Sequence, residues 1–187
     1  MIKFNNVSFG YKNTPVLKDF NLTVSNNDRI CFFGKSGCGK STILRLILGL
    51  EKQKRGEILI DKDLKPSVVF QENRLLPFKT VYENVALFAK SKENIKFHLK
   101  ALGILEFADA YPSELSGGMK RRVALARALS ADLDFLILDE PFTGLDDANI
   151  KLCAEHILKT VGERPIILVT HSLEEAELFK AKIINVN

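Results

Sequence analysis

Gly34-Lys35-Ser36-Gly37-Cys38-Gly39-Lys40-Ser41 has the spacing G-x-x-x-x-G-K-[ST], and its reading decides the fold. An apolar run, Ile30-Cys31-Phe32-Phe33, precedes it, and an amphipathic run, Thr42 to Leu50, follows. That order of strand, loop and helix is the context in which the pattern makes a phosphate cradle. The glycines let the backbone curl until successive N–H groups converge on oxygen anions, and the new helix adds its positive end. Lys40 can reach β- and γ-phosphates, and the Ser41 hydroxyl can ligate Mg²⁺. Gly34, Ser36, Gly37, Cys38, Gly39, Lys40, Ser41 and Thr42 are therefore expected to hold a nucleotide. A plain glycine-rich turn is the alternative, and the flanking strand and helix speak against it.

Outward from the loop, Ile2 to Phe9 and Phe20 to Val24 alternate like half-buried strands, and Arg29 to Phe33 reads as a buried one. Glu57 to Ile60 and Ser67 to Phe70 are short strands with a charged turn between them. From Glu72 to about Leu129 helical periods dominate and no convincing strand appears. Phe135 to Leu138 and Pro165 to Val169 return as buried, parallel-type strands, separated by a helix from about Ala148 to Val161. A helix from Leu173 to Phe179 leads into a strand, Lys182 to Val186. Strands alternating with helices at both ends predict a parallel sheet with crossover helices, and the strandless middle predicts an inserted helical lobe.

The 187 residues suffice for one α/β domain, and 46% hydrophobic with 27% charged residues is the balance of a folded globular chain. A net charge of +4, evenly spread, gives no reason to expect a nucleic-acid partner. Lys52-Gln-Lys-Arg55 reads as a solvated loop. Cys31, Cys38 and Cys153 are widely spaced without metal-ligand pairing, which points to a reducing compartment. Cys38 reads as filler in the loop rather than as a nucleophile. Met1-Ile-Lys-Phe-Asn-Asn begins an alternating strand and not a signal peptide. No apolar run approaches the ~18 residues of a membrane span. A soluble protein is expected, with any membrane role coming through a partner.

Phe135-Leu-Ile-Leu-Asp139-Glu140 is an apolar strand ending in two carboxylates. Ligands of open α/β sheets sit at the carboxyl ends of strands, so both acids are expected to face the phosphate loop. Asp139 would hold Mg²⁺, and Glu140 could orient or deprotonate a water attacking the γ-phosphate. In Leu115-Ser-Gly-Gly-Met-Lys-Arg-Arg-Val-Ala-Leu-Ala-Arg-Ala-Leu129, Ser116 and two glycines open a helix whose first amides form a second anion-binding end. A simple helix cap accounts for Ser116 but not for paired glycines, which cost helix stability.

Leu115-Ser-Gly-Gly-Met119 resembles the signature motif of the ATP-binding subunits of ABC transporters, and the resemblance covers essentially the whole chain. It implies an α/β phosphate-loop NTPase core with a mainly parallel sheet, an N-terminal antiparallel β subdomain and an inserted α-helical subdomain. Residues 1–187 would be one such domain, with 1–70 and 130–187 as the ATP-binding core and about 72–129 as the helical part. It implies ATP and Mg²⁺ as ligands and ATP hydrolysis as the activity. Tyr11 would stack on adenine. Gln71 would contact Mg²⁺ or water and sense the membrane partner, beside Ser41 and Asp139 as metal ligands. Glu140 would be the catalytic carboxylate and His171 the contact to the γ-phosphate, with Lys40 completing the catalytic set. Ser116, Gly117, Gly118 and Asp146, the last within Thr143-Gly-Leu-Asp146, would reach a second subunit's nucleotide. Two subunits would then sandwich two ATP molecules head to tail.

Gln71 to Val85 and Tyr111 to Met119 look like bacterial importer subunits that serve nitrate, sulfonate, taurine and thiamine-precursor uptake. Leu75, Leu76, Pro77 and Phe78 would form part of an apolar groove for a permease helix, with a solute-binding protein as an indirect partner. The chain would then lie on the cytoplasmic face of the cell membrane. Departures from the family pattern are Met119-Lys-Arg-Arg122 in place of a Gln-rich continuation, Ser172 where Asp is usual, and a short Asp61 to Pro66. The sequence given also stops one strand after His171, without further helices. An exporter or non-transport ABC ATPase, a small-molecule phosphotransferase and a non-hydrolysing nucleotide-binding regulator stay open as alternatives. His98 and His156 sit on helical segments without evident partners and read as structural.

Overall fold

A computed structural model describes residues 1–12, 14–35 and 37–186. Ser36, expected in the cradle, lies outside the described residues. The elements in chain order are β1 (Ile2–Tyr11), β2 (Thr14–Val24), β3 (Arg29–Phe33), α1 (Lys40–Ile47), β4 (Arg55–Ile60) and β5 (Pro66–Val69). A helical stretch follows with α2 (Val81–Ala86), α3 (Lys92–Ala101) and α4 (Gly117–Ser130). The chain closes with β6 (Phe135–Asp139), α5 (Asp147–Val161), β7 (Ile166–Val169), α6 (Leu173–Leu178) and β8 (Lys182–Asn185).

Two sheets form. The first, in the order β2-β1-β4, is antiparallel; the second, in the order β5-β6-β7-β3-β8, is parallel throughout. Alternation along the parallel strands divides the apolar side chains between two layers. Ile30, Phe32, Phe135, Ile137, Ile167 and Val169 face β1, β2 and α1. Cys31, Leu136, Leu138, Ile166 and Leu168 face α4 and α5, in a layer continued by Val81, Val85, Ile95, Leu99 and Leu102 of the helical stretch. Each such Leu, Ile or Phe contributes about 1.5–3 kcal/mol by leaving water, so strands buried on both faces are fixed by their composition. Because every strand of this sheet runs the same way, the segments after β3, β5, β6 and β7 emerge at one edge. That edge carries the phosphate loop, Gln71, the two acids and His171.

The structure departs from the sequence reading at several points. Strand β2 begins at Thr14 instead of Phe20, since its pairing with β1 continues to Tyr11↔Thr14 through several register shifts. Tyr11 therefore ends β1, two residues past the expected strand limit at Phe9. Arg55 leaves the expected solvated loop and pairs with Ser8 at the start of β4. Helix α1 covers Lys40–Ile47, so it starts inside the phosphate motif. His98 and His156 are not isolated: both are buried, and their Nδ1 and Nε2 atoms share a hydrogen bond of 2.8 Å.

Candidate active site

Gly39 precedes α1 with φ 109, and a Cβ there would stand 2.9 Å from Val16 Cγ1. Only glycine takes this left-handed turn without strain. No side chain caps α1, so its first-turn amides face outward with the dipole's positive end behind them. Lys40 is buried in the loop, and its ammonium donates to Gly34 O at 2.7 Å and to Lys35 O at 2.9 Å. The loop opens on a cleft of about 460 Å³, within the ~300–1,000 Å³ usual for small-molecule sites. Gly34, Gly37, Gly39, Lys40, Ser41 and Thr42 line it on one side. Gln71, Asp139, Glu140 and His171 line the other, with Tyr11 among the lining residues. Tyr11 is exposed, packs edge-to-face on Phe9 at 5.0 Å and donates from its hydroxyl to Glu51 at 3.4 Å. Cys38 is half-buried with its sulfur 3.9 Å from Lys40 Nζ, and packs into the layer beneath the loop.

Asp139 is buried at the end of β6, and burial followed by the neighbouring Glu140 pushes its carboxyl upward in pKa, against the opposing pull of Arg121 and Lys40. A divalent cation would relieve that crowding of negative charge. Ser41, Gln71 and Asp139 supply hydroxyl, amide and carboxylate oxygens, the hard donors that Mg²⁺ takes. Among the described residues no group of three or more His, Cys, Asp or Glu side chains is placed to hold a metal. The donor set thus fits a cation completed by phosphate oxygens and water, and does not fit an all-protein cage.

Glu140 stands at φ 49, a region that non-glycine residues occupy only when their surroundings hold them there. Its N–H donates to Val169 O at 2.9 Å. The carboxylate is 17% exposed and accepts from His171 Nδ1 at 2.9 Å, while the His171 side chain is 77% exposed. The turn carrying His171 is tied to α6: Thr170 Oγ1 donates to Glu175 at 2.5 Å and accepts from Ser172 N at 3.1 Å. A carboxylate lining the cleft opposite the phosphate loop and held by an exposed histidine can orient a water and accept its proton.

Not every expected site residue meets there. Ser116, Gly117, Gly118 and Asp146 are absent from the cleft lining and form a second surface. Ser116 caps α4 by accepting from Met119 N at 3.2 Å. A Cβ on Gly118 would sit 3.1 Å from Gly144 O and 3.2 Å from Leu145 Cδ2, so this helix start abuts the 143–146 loop. A Cβ on Gly117 would meet nothing within 4 Å, so its own chain's packing does not require glycine there. Asp146 caps α5, accepting from Asn149 N at 2.8 Å.

A family model described as ABC transporter matches residues 17–143. This chain belongs to that family. It is an ABC ATPase subunit that binds ATP. It is 39% identical over 187 residues to the aliphatic sulfonates import ATP-binding protein SsuB of Bacillus cereus, covering 92% of this chain and 74% of the relative. It is 37% identical over 186 residues to the nitrate import ATP-binding protein NrtD of Synechococcus elongatus, covering 90% and 68%. Among solved structures, the dimeric post-hydrolysis state of the ATP-binding cassette MJ0796 bound to ADP and Pi superposes with a TM-score of 0.88 at 30% identity, covering 100% of this chain and 94% of that one.

In this ABC ATPase the sequence reading missed Arg121, a residue 1% exposed whose guanidinium lies behind the acids. A signal for it exists in the helix period: Arg121, Ala124, Leu125 and Ala128 share one stripe of α4, and all four are buried. Arg122 and Arg127 also bind main chain, donating to Leu102 O at 2.8 Å and to Arg74 O at 2.7 Å respectively. The expected permease groove is also redrawn. Leu76 lines an apolar cleft of about 390 Å³ together with Phe70, Leu87 and Phe88. Leu75 instead packs into the helical core, and Phe78 stands outside that lining.

Proposed function

We propose that this chain is the ATP-hydrolysing subunit of a solute importer, working as a pair on the cytoplasmic face of a membrane permease. The observation that carries the reading is the separation of two anion-binding surfaces on one chain, the phosphate cleft and the Ser116–Gly118 helix start beside Asp146. Ser116, Gly117, Gly118 and Asp146 all lie outside the lining of the phosphate cleft, and two copies set head to tail would bring each such surface against the other copy's cleft. Gly117 supports this, being a glycine that its own fold does not demand. The dimeric state of the related cassette is the precedent, and the import named for the two relatives supports the direction of transport.

In this reading the Gly34–Thr42 backbone and Lys40 hold the triphosphate, and Tyr11 lies against the base. Ser41, Gln71 and Asp139 hold Mg²⁺, which when bound neutralises charge on the β- and γ-phosphate oxygens. Glu140 accepts the proton of the attacking water, and His171 steadies both Glu140 and the γ-phosphate. Negative phosphates between two positive helix ends favour closure, and cleavage weakens it. The permease would dock on the groove beside Gln71, in the region from Gln71 to Val85, and a solute-binding protein would meet the permease on the far side. No described helix is long and apolar enough to cross a membrane, consistent with attachment through that partner.

Light scattering of the Glu140→Gln variant is the test. Saturating Mg-ATP should convert it from monomer to dimer, and ADP should not. A variant that stays monomeric at saturating Mg-ATP with its permease present would overturn the reading.

A further inference from the structure

Arg121 carries a buried cation that the functional reading above leaves without a task. Its partners are unusual for a buried charge, because the fork of five N–H groups meets main-chain carbonyls rather than a carboxylate. Nε donates to Pro141 O at 2.7 Å. Nη2 donates to Asp139 O at 2.8 Å and Glu140 O at 2.6 Å. Nη1 donates to Phe70 O at 2.5 Å and more weakly to Gln71 O at 3.3 Å and Asn73 Oδ1 at 3.4 Å. Three of those carbonyls belong to Gln71, Asp139 and Glu140, the residues assigned above to metal, water and proton transfer.

We infer that Arg121 is a positioning residue that locks the Gln71 segment and the Asp139–Pro141 segment into one unit hung from α4. The inference rests on the roles proposed for those three residues and adds the element that sets their geometry. The two segments follow different strands, β5 and β6, and are far apart in sequence. Glu140 at φ 49 needs its backbone fixed from several directions. Its carbonyl receives Arg121 Nη2 and, at 3.2 Å, Thr143 Oγ1. Only a planar fork reaches carbonyls on both sides at once; a lysine offers three donors from a single point. Arg121 also lies just over one helical turn past Ser116, so displacement of the α4 start would reach the acids through a rigid rod. Carbonyl partners suit this task because they fix backbone while Arg121 makes no hydrogen bond to the Asp139 and Glu140 carboxylate oxygens that the proposed chemistry uses. The acids also supply the countercharge, which keeps the guanidinium charged although burial lowers its pKa to about 10.

The test combines variant kinetics with exchange on the wild type. In Arg121→Gln, kcat for Mg-ATP should fall about tenfold to a hundredfold, the scale for misplacing a reacting group by about 1 Å. Affinity for a fluorescent ATP analogue should stay within threefold, because Arg121 hydrogen-bonds none of the described residues of the phosphate loop. Arg121→Lys should not restore the wild-type rate. Arg127→Gln, which removes a guanidinium bound to Asn73 O and Arg74 O but to neither acid, should keep kcat within threefold. All are assayed well below their own melting temperatures. Amide hydrogen exchange on the wild-type chain needs no variant: after correction for intrinsic rates, 70–74 and 139–143 should open together. The inference is overturned by unchanged kcat in Arg121→Gln, by kcat and affinity falling in parallel, by full activity in Arg121→Lys, by an equal loss in Arg127→Gln, or by exchange rates of the two segments differing more than tenfold. The exchange measurement decides even if hydrolysis is absent, so failure of the functional reading and failure of this inference are told apart.

Discussion

Glu140 carries the proton transfer in the proposed mechanism, and the residue accepting from His171 is also the one with the strained backbone. Replacing its carboxylate by an amide keeps size and most contacts but removes the proposed base. Glu140→Gln should therefore bind Mg-ATP like the wild type while turnover falls at least ~10²-fold, measured as phosphate release in steady state. Near-normal turnover would take the proton-accepting role from Glu140. Lys40 is proposed to act earlier, on binding. Its ammonium already sits among loop carbonyls, and Lys40→Ala should abolish tight ATP binding in calorimetry, with unchanged affinity counting against the cradle. That these residues line one cleft was legible in the sequence, because the phosphate-loop spacing and the strand-end acids mark their positions. Arg121 was not, because its partners are main-chain carbonyls, which every residue possesses and no sequence marks.

At the level of elements, what was legible follows burial. Strands β3 and β6 are apolar on both faces and announce their own limits, whereas the first half of β2 is mostly exposed, begins with Thr14-Pro15, pairs at the sheet's edge, and was invisible until β1 stood beside it. The contact between α3 and α5 was equally hidden, since His98 and His156 are 58 residues apart. Their hydrogen bond, roofed by Phe97 at 5.1 and 5.5 Å between ring centroids, requires at least one neutral ring. Burial, and secondarily His156, lowers the His98 pKa to about 4; burial, and secondarily Lys159, lowers that of His156. An unfolded histidine titrates near 6.5, so on acidification the unfolded chain takes up protons first. The pair's contribution is thus intact above about pH 6.5 and lost as pH falls toward about 4, by up to about 3 kcal/mol for His98. Urea midpoints should drop between pH 7.5 and pH 5 in the wild type and drop less in His98→Gln. Equal slopes in the two proteins would free the pair from this role.

Across the whole molecule, the catalytic edge and the apolar groove are joined by the segment after β5, which carries Phe70 and Leu76 in the groove and Gln71 in the cleft. That segment is held from below. Asn84 is fully buried, accepts from Leu76 N at 2.8 Å, and donates to the carbonyls of Leu76, Lys79 and Thr80. Arg74 lies 3.8 Å over the Phe70 ring and closes the groove's upper side. A loop so braced can transmit a push on the groove to Gln71, and with Arg121 onward to Glu140. The sequence pointed to one wall of this groove through Leu76 but not to the other, because Leu87 and Phe88 follow α2 and only folding brings them across. Phe88 is 61% exposed and Phe78 71%, so a charge at either should change stability by no more than about 0.5 kcal/mol. Their effects on docking should differ. Phe88→Asp, inside the groove, should weaken co-purification with the permease at least tenfold, the scale of an interface anchor, while Mg-ATP affinity stays within twofold. Phe78→Asp, outside the lining, should cost less than threefold. The reverse order would move the permease to the loop tip and cut the groove out of the coupling path.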